Sequence, residues 1–81
     1  MTCRILFFST LKDCVGTGEM VWPLAAPMPV GELYSAVSEK FPPLAKWRPA
    51  LLMAVNQAYV GAEALVNPGD EVAFMPPVQG G

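Results

Sequence analysis

The sequence predicts an α+β fold, a mixed sheet packed on one main helix, and three observations carry that reading. Short β-type runs stand at both ends of the 81-residue chain, and a single long amphipathic pattern lies between them. The connection from the first run to the last contains that helix, which makes the two end strands parallel neighbours.

Arg4-Ile5-Leu6-Phe7-Phe8 is apolar on both faces beyond Arg4, as a central strand is. Leu11 to Val15 spans about one helical turn, which Gly16 closes. Thr17-Gly18 has turn chemistry and leads into a second strand, Glu19-Met20-Val21-Trp22, which Pro23 ends. Pro27-Met28-Pro29 reads as a loop. In the stretch that follows, Leu33, Val37 and Phe41 recur at every fourth position with Ala36 beside them, while Glu32, Ser35, Glu39 and Lys40 face out. Pro29 lies just outside this helix, and Pro42-Pro43 ends it. Residues 44–49 read either as a turn of helix carrying Trp47 or as irregular chain. Leu51-Leu52-Met53-Ala54-Val55 is a strand, and Asn56-Gln57 turns it into Ala58-Tyr59-Val60. Asn67-Pro68-Gly69-Asp70 is a strong turn signal feeding the last strand, Glu71-Val72-Ala73-Phe74-Met75. These elements predict one domain over residues 1–75, followed by a flexible tail over 76–81.

Alternation along the paired end strands sorts their faces. Ile5, Phe7, Val72 and Phe74 are predicted to meet the helix, whereas Arg4, Leu6, Phe8, Ala73 and Met75 point away from it. The second set has no element left to cover it. Hydrophobic residues make up 53% of the chain and charged residues 15%, more apolar surface than so small a domain can bury. The surplus is expected as an exposed patch that meets a partner.

Composition narrows the chemistry. The net charge is −2 and the five basic residues form no run, which argues against a nucleic-acid partner. No stretch approaches the roughly 20 apolar residues of a membrane span. The start of the chain leads straight into a strand with no signal-peptide pattern, and Cys3 and Cys14 fit no zinc or redox spacing. A cytoplasmic protein with two free thiols and no metal site is the simplest account. There is no histidine, hence no imidazole base or relay. The seven carboxylates do not pair at a spacing suited to acid–base work. Cys14 follows Asp13 but lacks a base, so it reads as a buried small hydrophobe.

The sequence closes on Val78-Gln79-Gly80-Gly81. Two glycines leave a thin filament without side chains, and Pro76-Pro77 stops the preceding strand and projects the tail outward. Six residues reach at most about 20 Å, enough to thread a carboxylate into another protein's site. A frayed terminus is the alternative reading of the same residues.

The whole chain resembles the small subunits of molybdopterin synthase, sulfur carriers with a ubiquitin-like β-grasp fold. The resemblance lies in Ile5-Leu6-Phe7-Phe8, in Val30-Gly31-Glu32-Leu33 and in Val55-Asn56-Gln57. It is most specific in the closing run from Pro68-Gly69-Asp70 through Phe74-Met75-Pro76-Pro77 to Gly80-Gly81. Pro29 departs from it where a threonine helix cap is common, and Lys12 where an arginine is common. The resemblance implies that an E1-like adenylyltransferase uses ATP to adenylylate the Gly81 carboxylate, which then becomes a thiocarboxylate. It implies sulfur transfer to a cyclic pterin precursor in a cytoplasmic heterotetramer of two small and two large subunits. The large subunit's groups would do the catalysis, and this chain would bind no cofactor itself. Gly81 is the implied reactive position, with Gly80, Gln79 and Val78 forming the tail. Phe8, Lys12, Tyr59, Met75, Pro76 and Pro77 are the implied partner contacts. Thiamin-pathway sulfur carriers and ubiquitin-like protein modifiers share the fold and the diglycine, and they are the alternatives.

Overall fold

In the computed structural model, residues 1–77 are described, apart from the side chains of residues 48–50. The elements in order are β1 (Thr2–Phe7), α1 (Thr10–Val15), β2 (Glu19–Pro23), β3 (Met28–Pro29), α2 (Val30–Lys40), a 3-10 helix (Pro42–Ala50), β4 (Leu52–Val55), β5 (Ala58–Val60), β6 (Leu65–Val66) and β7 (Glu71–Met75). Five strands form one mixed sheet in the order β2-β1-β7-β4-β5, and β3 and β6 form a small ribbon of their own. β1 and β7 pair in parallel with Ile5 opposite Val72 and Phe7 opposite Phe74, and the other pairs of the main sheet are antiparallel. A mixed sheet that grips one principal helix is the β-grasp arrangement.

That register puts Cys3, Ile5, Phe7, Met53, Val72 and Phe74 on the helix side. There they are buried with Leu11, Leu24, Val30, Leu33, Tyr34, Val37, Leu44 and Val66. Phe74 is the hub of the aromatic packing. Its ring meets Tyr34 edge-on at 4.8 Å between centroids and lies tilted 6.0 Å from Phe7. Tyr34 is fully buried, and its hydroxyl donates to the Leu44 carbonyl. This bond ties α2 to the 3-10 helix and satisfies the one polar atom the side chain takes into the core.

Three sequence expectations need correction. Phe41 does not continue the buried stripe of α2. The helix stops at Lys40, and Phe41, at φ −126° and ψ 79°, is half-buried against the core. Pro42 disfavours helical backbone at the residue before it, so the four-residue period cannot be extrapolated through Phe41. Ser35 is not turned out to solvent but half-buried, its hydroxyl donating to the Gly31 carbonyl at 3.1 Å. The third concerns Pro27-Met28-Pro29, expected as a loop. Met28 and Pro29 pair with Val66 and Leu65 instead.

The β3–β6 ribbon solves the start of α2. Pro29 occupies the N-cap with no side chain able to accept from the first turn, which leaves orphan N–H groups. The Val30 and Gly31 amides donate to the Ala64 and Ala62 carbonyls at 2.7 and 2.9 Å, so backbone from the 61–64 loop does the capping. Glycine is required for that approach. A Cβ on residue 31 would stand 2.9 Å from Ala62 Cβ and 3.2 Å from its carbonyl oxygen. α1 closes as expected on Gly16, whose left-handed backbone at φ 93° returns its N–H to the Lys12 carbonyl.

Candidate functional site: the uncovered sheet face

Strand alternation sends a second set of side chains to the face opposite α2. Leu6 lies opposite Ala73 on β7, Ala73 lies opposite Ala54 on β4, and Ala54 lies opposite Tyr59 on β5. Phe8 follows β1, its amide bonded to the Phe74 carbonyl at 3.2 Å, which keeps it beside the end of β7. Leu6, Phe8, Ala54, Gln57, Tyr59, Glu71, Ala73 and Met75 line one open depression of about 300 Å³. The paired alanines form its floor, and larger side chains stand around it. Tyr59 is 74% exposed and Phe8 46% exposed, although an aromatic ring loses most by facing water.

One flank of this face is charged. Arg4 Nε lies 3.3 Å from a Glu19 carboxylate oxygen, and its guanidinium also bonds Glu71, its register partner. These two carboxylates raise the Arg4 pKa further, and the hydrogen bond to Glu71 contributes most. The ion pair thus puts charge beside the apolar centre, through Glu71, which lines the depression.

On the other side of Glu71, the β4–β5 turn is held by a set of hydrogen bonds. Asn56 accepts from the Glu71 amide at 3.0 Å through its side-chain oxygen and donates to Asp70 Oδ1 at 3.1 Å. Its own amide donates to the Glu71 carbonyl at 2.7 Å. Asp70 Oδ2 accepts from the Asn67 amide at 2.8 Å. These bonds, the Asn67 amide first, hold the Asp70 carboxyl below its ordinary pKa. Together they lock the Asn56-Gln57 turn to the turn that starts β7.

The structure therefore brings Phe8, Tyr59 and Met75 together on one face, with Met75 half-buried. Lys12 is exposed on α1 with its stem beside Gly18, away from the residues that line the depression. Pro76 and Pro77 are half-buried and follow directly on β7, so the chain leaves the sheet from the Met75 end. Val78, Gln79, Gly80 and Gly81 lie outside the described residues. Sequence reading missed Gln57, Ala54 and Leu52 as members of this face. Alternation along β4 puts Leu52 and Ala54 on one side, but only the strand register shows that this is the side of Met75 and Ala73, and Gln57 lies in the turn, where alternation does not apply.

Elsewhere the chemistry is sparse. Cys3 is buried, and desolvation above all pushes its thiol pKa up, away from nucleophilic use. Cys14 is half-buried rather than fully buried, and it lines a groove with Thr10, Asp13, Pro43, Lys46 and Trp47. Among the described residues no group of three or more His, Cys, Asp or Glu side chains could hold a metal ion. No helix among them is long and apolar enough to cross a membrane.

Comparison with known proteins gives the family of the chain. The model of the ThiS family matches residues 5–81. The chain belongs to the ThiS family. It is 39% identical to the molybdopterin synthase sulfur carrier subunit of Escherichia coli over 82 residues, which covers 96% of this chain and 98% of that protein. The carrier subunit of the same name from Homo sapiens is 31% identical, covering 96% and 92%. SAMP1 from Haloferax volcanii shares the fold at a TM-score of 0.81 and 20% identity, over the full length of both chains. A chain in the complex of subunits 1 and 2 of the molybdopterin-converting factor from Helicobacter pylori does so at 0.69 and 22%, again over both full lengths.

Proposed function

We propose that this chain is the sulfur-carrying small subunit of a molybdopterin synthase, presenting sulfur on the Gly81 carboxyl while its uncovered sheet face docks on the large subunit. The observation that carries the reading is the coincidence of two features. An apolar depression built from Leu6, Phe8, Tyr59 and Met75 lies exposed on the sheet, and the strand that leads to the diglycine leaves from the Met75 end of it. Nearly full-length similarity to a protein named as a sulfur carrier subunit supports the same conclusion.

The chemistry follows from what a carboxylate lacks. An ionised carboxylate resists nucleophiles and offers no good leaving group. An E1-like adenylyltransferase would let the Gly81 carboxylate attack the α-phosphate of ATP, expelling pyrophosphate. A sulfur nucleophile then displaces AMP from the acyl-adenylate and leaves a thiocarboxylate. In the synthase, two small and two large subunits are expected to assemble, and the loaded tail enters the large subunit's pocket, where sulfur passes to a cyclic pterin precursor. This chain contributes the sulfur and the docking surface, and the large subunit supplies the catalytic groups. Glycine at positions 80 and 81 suits a filament that two different enzymes must grip in turn.

Reconstitution with the activating enzyme and the large subunit tests this reading. Deleting Gly81 is expected to leave folding and docking intact and to abolish sulfur transfer, because the tail lies beyond the last strand. Gly80→Ala is expected to slow adenylylation, transfer or both at unchanged docking affinity. Normal transfer rates for both variants would overturn the reading.

A further inference from the structure

The turn between β4 and β5 holds a residue that the fold alone does not want. Asn56 and Gln57 are the two central residues of a two-residue hairpin, and both have positive φ, 51° and 72°. This is the backbone of a type I′ turn, whose second central position favours glycine because it has no Cβ to strain. Asparagine tolerates the left-handed region through its short polar side chain, but glutamine has no such local compensation. The Gln57 side chain is exposed, makes no hydrogen bond among the described residues, and stands at the wall of the sheet-face depression beside Tyr59 and Glu71. The turn that carries it is fixed by the Asn56–Asp70–Glu71 hydrogen bonds. A strained position on a hydrogen-bonded turn, with an unspent carboxamide at the rim of an apolar site, points to a use outside the domain.

We infer that Gln57 is the specificity-determining polar contact of the docking face, pairing with a backbone peptide group of the large subunit beside an apolar side chain that fills the depression over Ala54 and Ala73. The inference rests on the docking reading proposed above. A carboxamide offers one donor and one acceptor face, the complement of a peptide N–H and C=O, so it suits main chain better than a single charge. The depression supplies contact area without direction. Arg4 is already engaged by Glu19 and Glu71, which leaves the Tyr59 hydroxyl and the Gln57 carboxamide as polar groups at the depression without an ion pair. Of these, Gln57 is the one carried on the hydrogen-bonded turn and able to set the partner's register.

Calorimetric titration of the purified large subunit with the full-length chain tests this, with a thermal melt of each variant alongside. Gln57→Gly removes the side chain and relieves the backbone. Its melting temperature is expected to hold or rise, while affinity for the large subunit falls roughly tenfold, the scale of one lost hydrogen bond in a desolvated contact. Gln57→Asn tolerates the same backbone and keeps a carboxamide, and is expected to retain more affinity than Gln57→Gly. Phe8→Asp serves as the control for the face and should abolish binding. If Phe8→Asp abolishes binding but Gln57→Gly stays within about twofold of the parent chain, the role of Gln57 is wrong and the docking reading stands. If Gln57→Gly lowers the melting temperature, the residue serves the fold and the inference fails. Undiminished binding by Phe8→Asp would overturn both.

Discussion

Phe7 and Phe8 are neighbours in sequence that point to opposite faces of the sheet, so truncating each to alanine separates core from docking surface. Phe7 is 2% exposed and packs on Phe74, whereas Phe8 is 46% exposed. Removing a buried phenylalanine costs the transfer of its ring and the cavity left behind, about 3–5 kcal/mol together. A domain of this length holds roughly 4–12 kcal/mol in all, at about 0.05–0.15 kcal/mol per residue. At roughly 4–8 °C per kcal/mol, Phe7→Ala should lower the melting temperature by at least about 12 °C. Phe8→Ala gives up only the covered part of its ring and opens no cavity, so it should cost about 1 kcal/mol or less and no more than about 8 °C. Binding to the large subunit should respond in the opposite order. Phe8→Ala is expected to weaken it roughly tenfold, the scale of an anchoring aromatic at an interface. Thermal melts followed by circular dichroism, together with calorimetric titration of the large subunit, read both quantities. A larger loss of stability from Phe8→Ala than from Phe7→Ala would show that the faces are assigned the wrong way round.

Gly31→Ala should destabilise the domain although alanine is the better helix former. The gain in helix propensity of about 1 kcal/mol is outweighed by a Cβ forced to within 2.9 Å of Ala62, where overpacking costs roughly 1–3 kcal/mol, and urea melts will show the sign. Asp70 should make the fold acid-sensitive. Its folded pKa is depressed by the Asn67 amide and the Asn56 carboxamide, so its contribution is full above the ordinary value of 3.8 and is lost as pH falls through the folded pKa. Asp70→Asn should flatten that acid limb of the stability curve, and an unchanged limb would show that other carboxylates cause it.

Much of the fold could be read from residue order because its signals are local or strictly periodic. The period of two in β1 and β7 sorted Ile5, Phe7, Val72 and Phe74 from Leu6, Phe8, Ala73 and Met75, and the parallel register bears this out. The prolines at 29 and 42 bracketed α2 correctly. The β3–β6 ribbon escaped because two residues per strand carry no period, and its pairing joins positions far apart in sequence. Tyr34 escaped because its burial depends on a carbonyl ten residues away that accepts its hydroxyl. Gln57 read as an ordinary turn residue, since positive φ at a non-glycine position is a property of the folded backbone. Phe8, Tyr59 and Met75 were legible as a face, whereas the alanine floor between them needed the register of three strands.

Intact-mass spectrometry decides whether Gly81 carries sulfur. The full-length chain is incubated with the activating enzyme, ATP and a sulfur donor, and its mass is compared with that of the untreated chain and of a chain lacking Gly81. The expected result is a mass increase equal to exchange of one oxygen for sulfur, and none in the chain lacking Gly81. An unchanged mass, or adducts joining Gly81 to lysine side chains in place of the exchange, would contradict it.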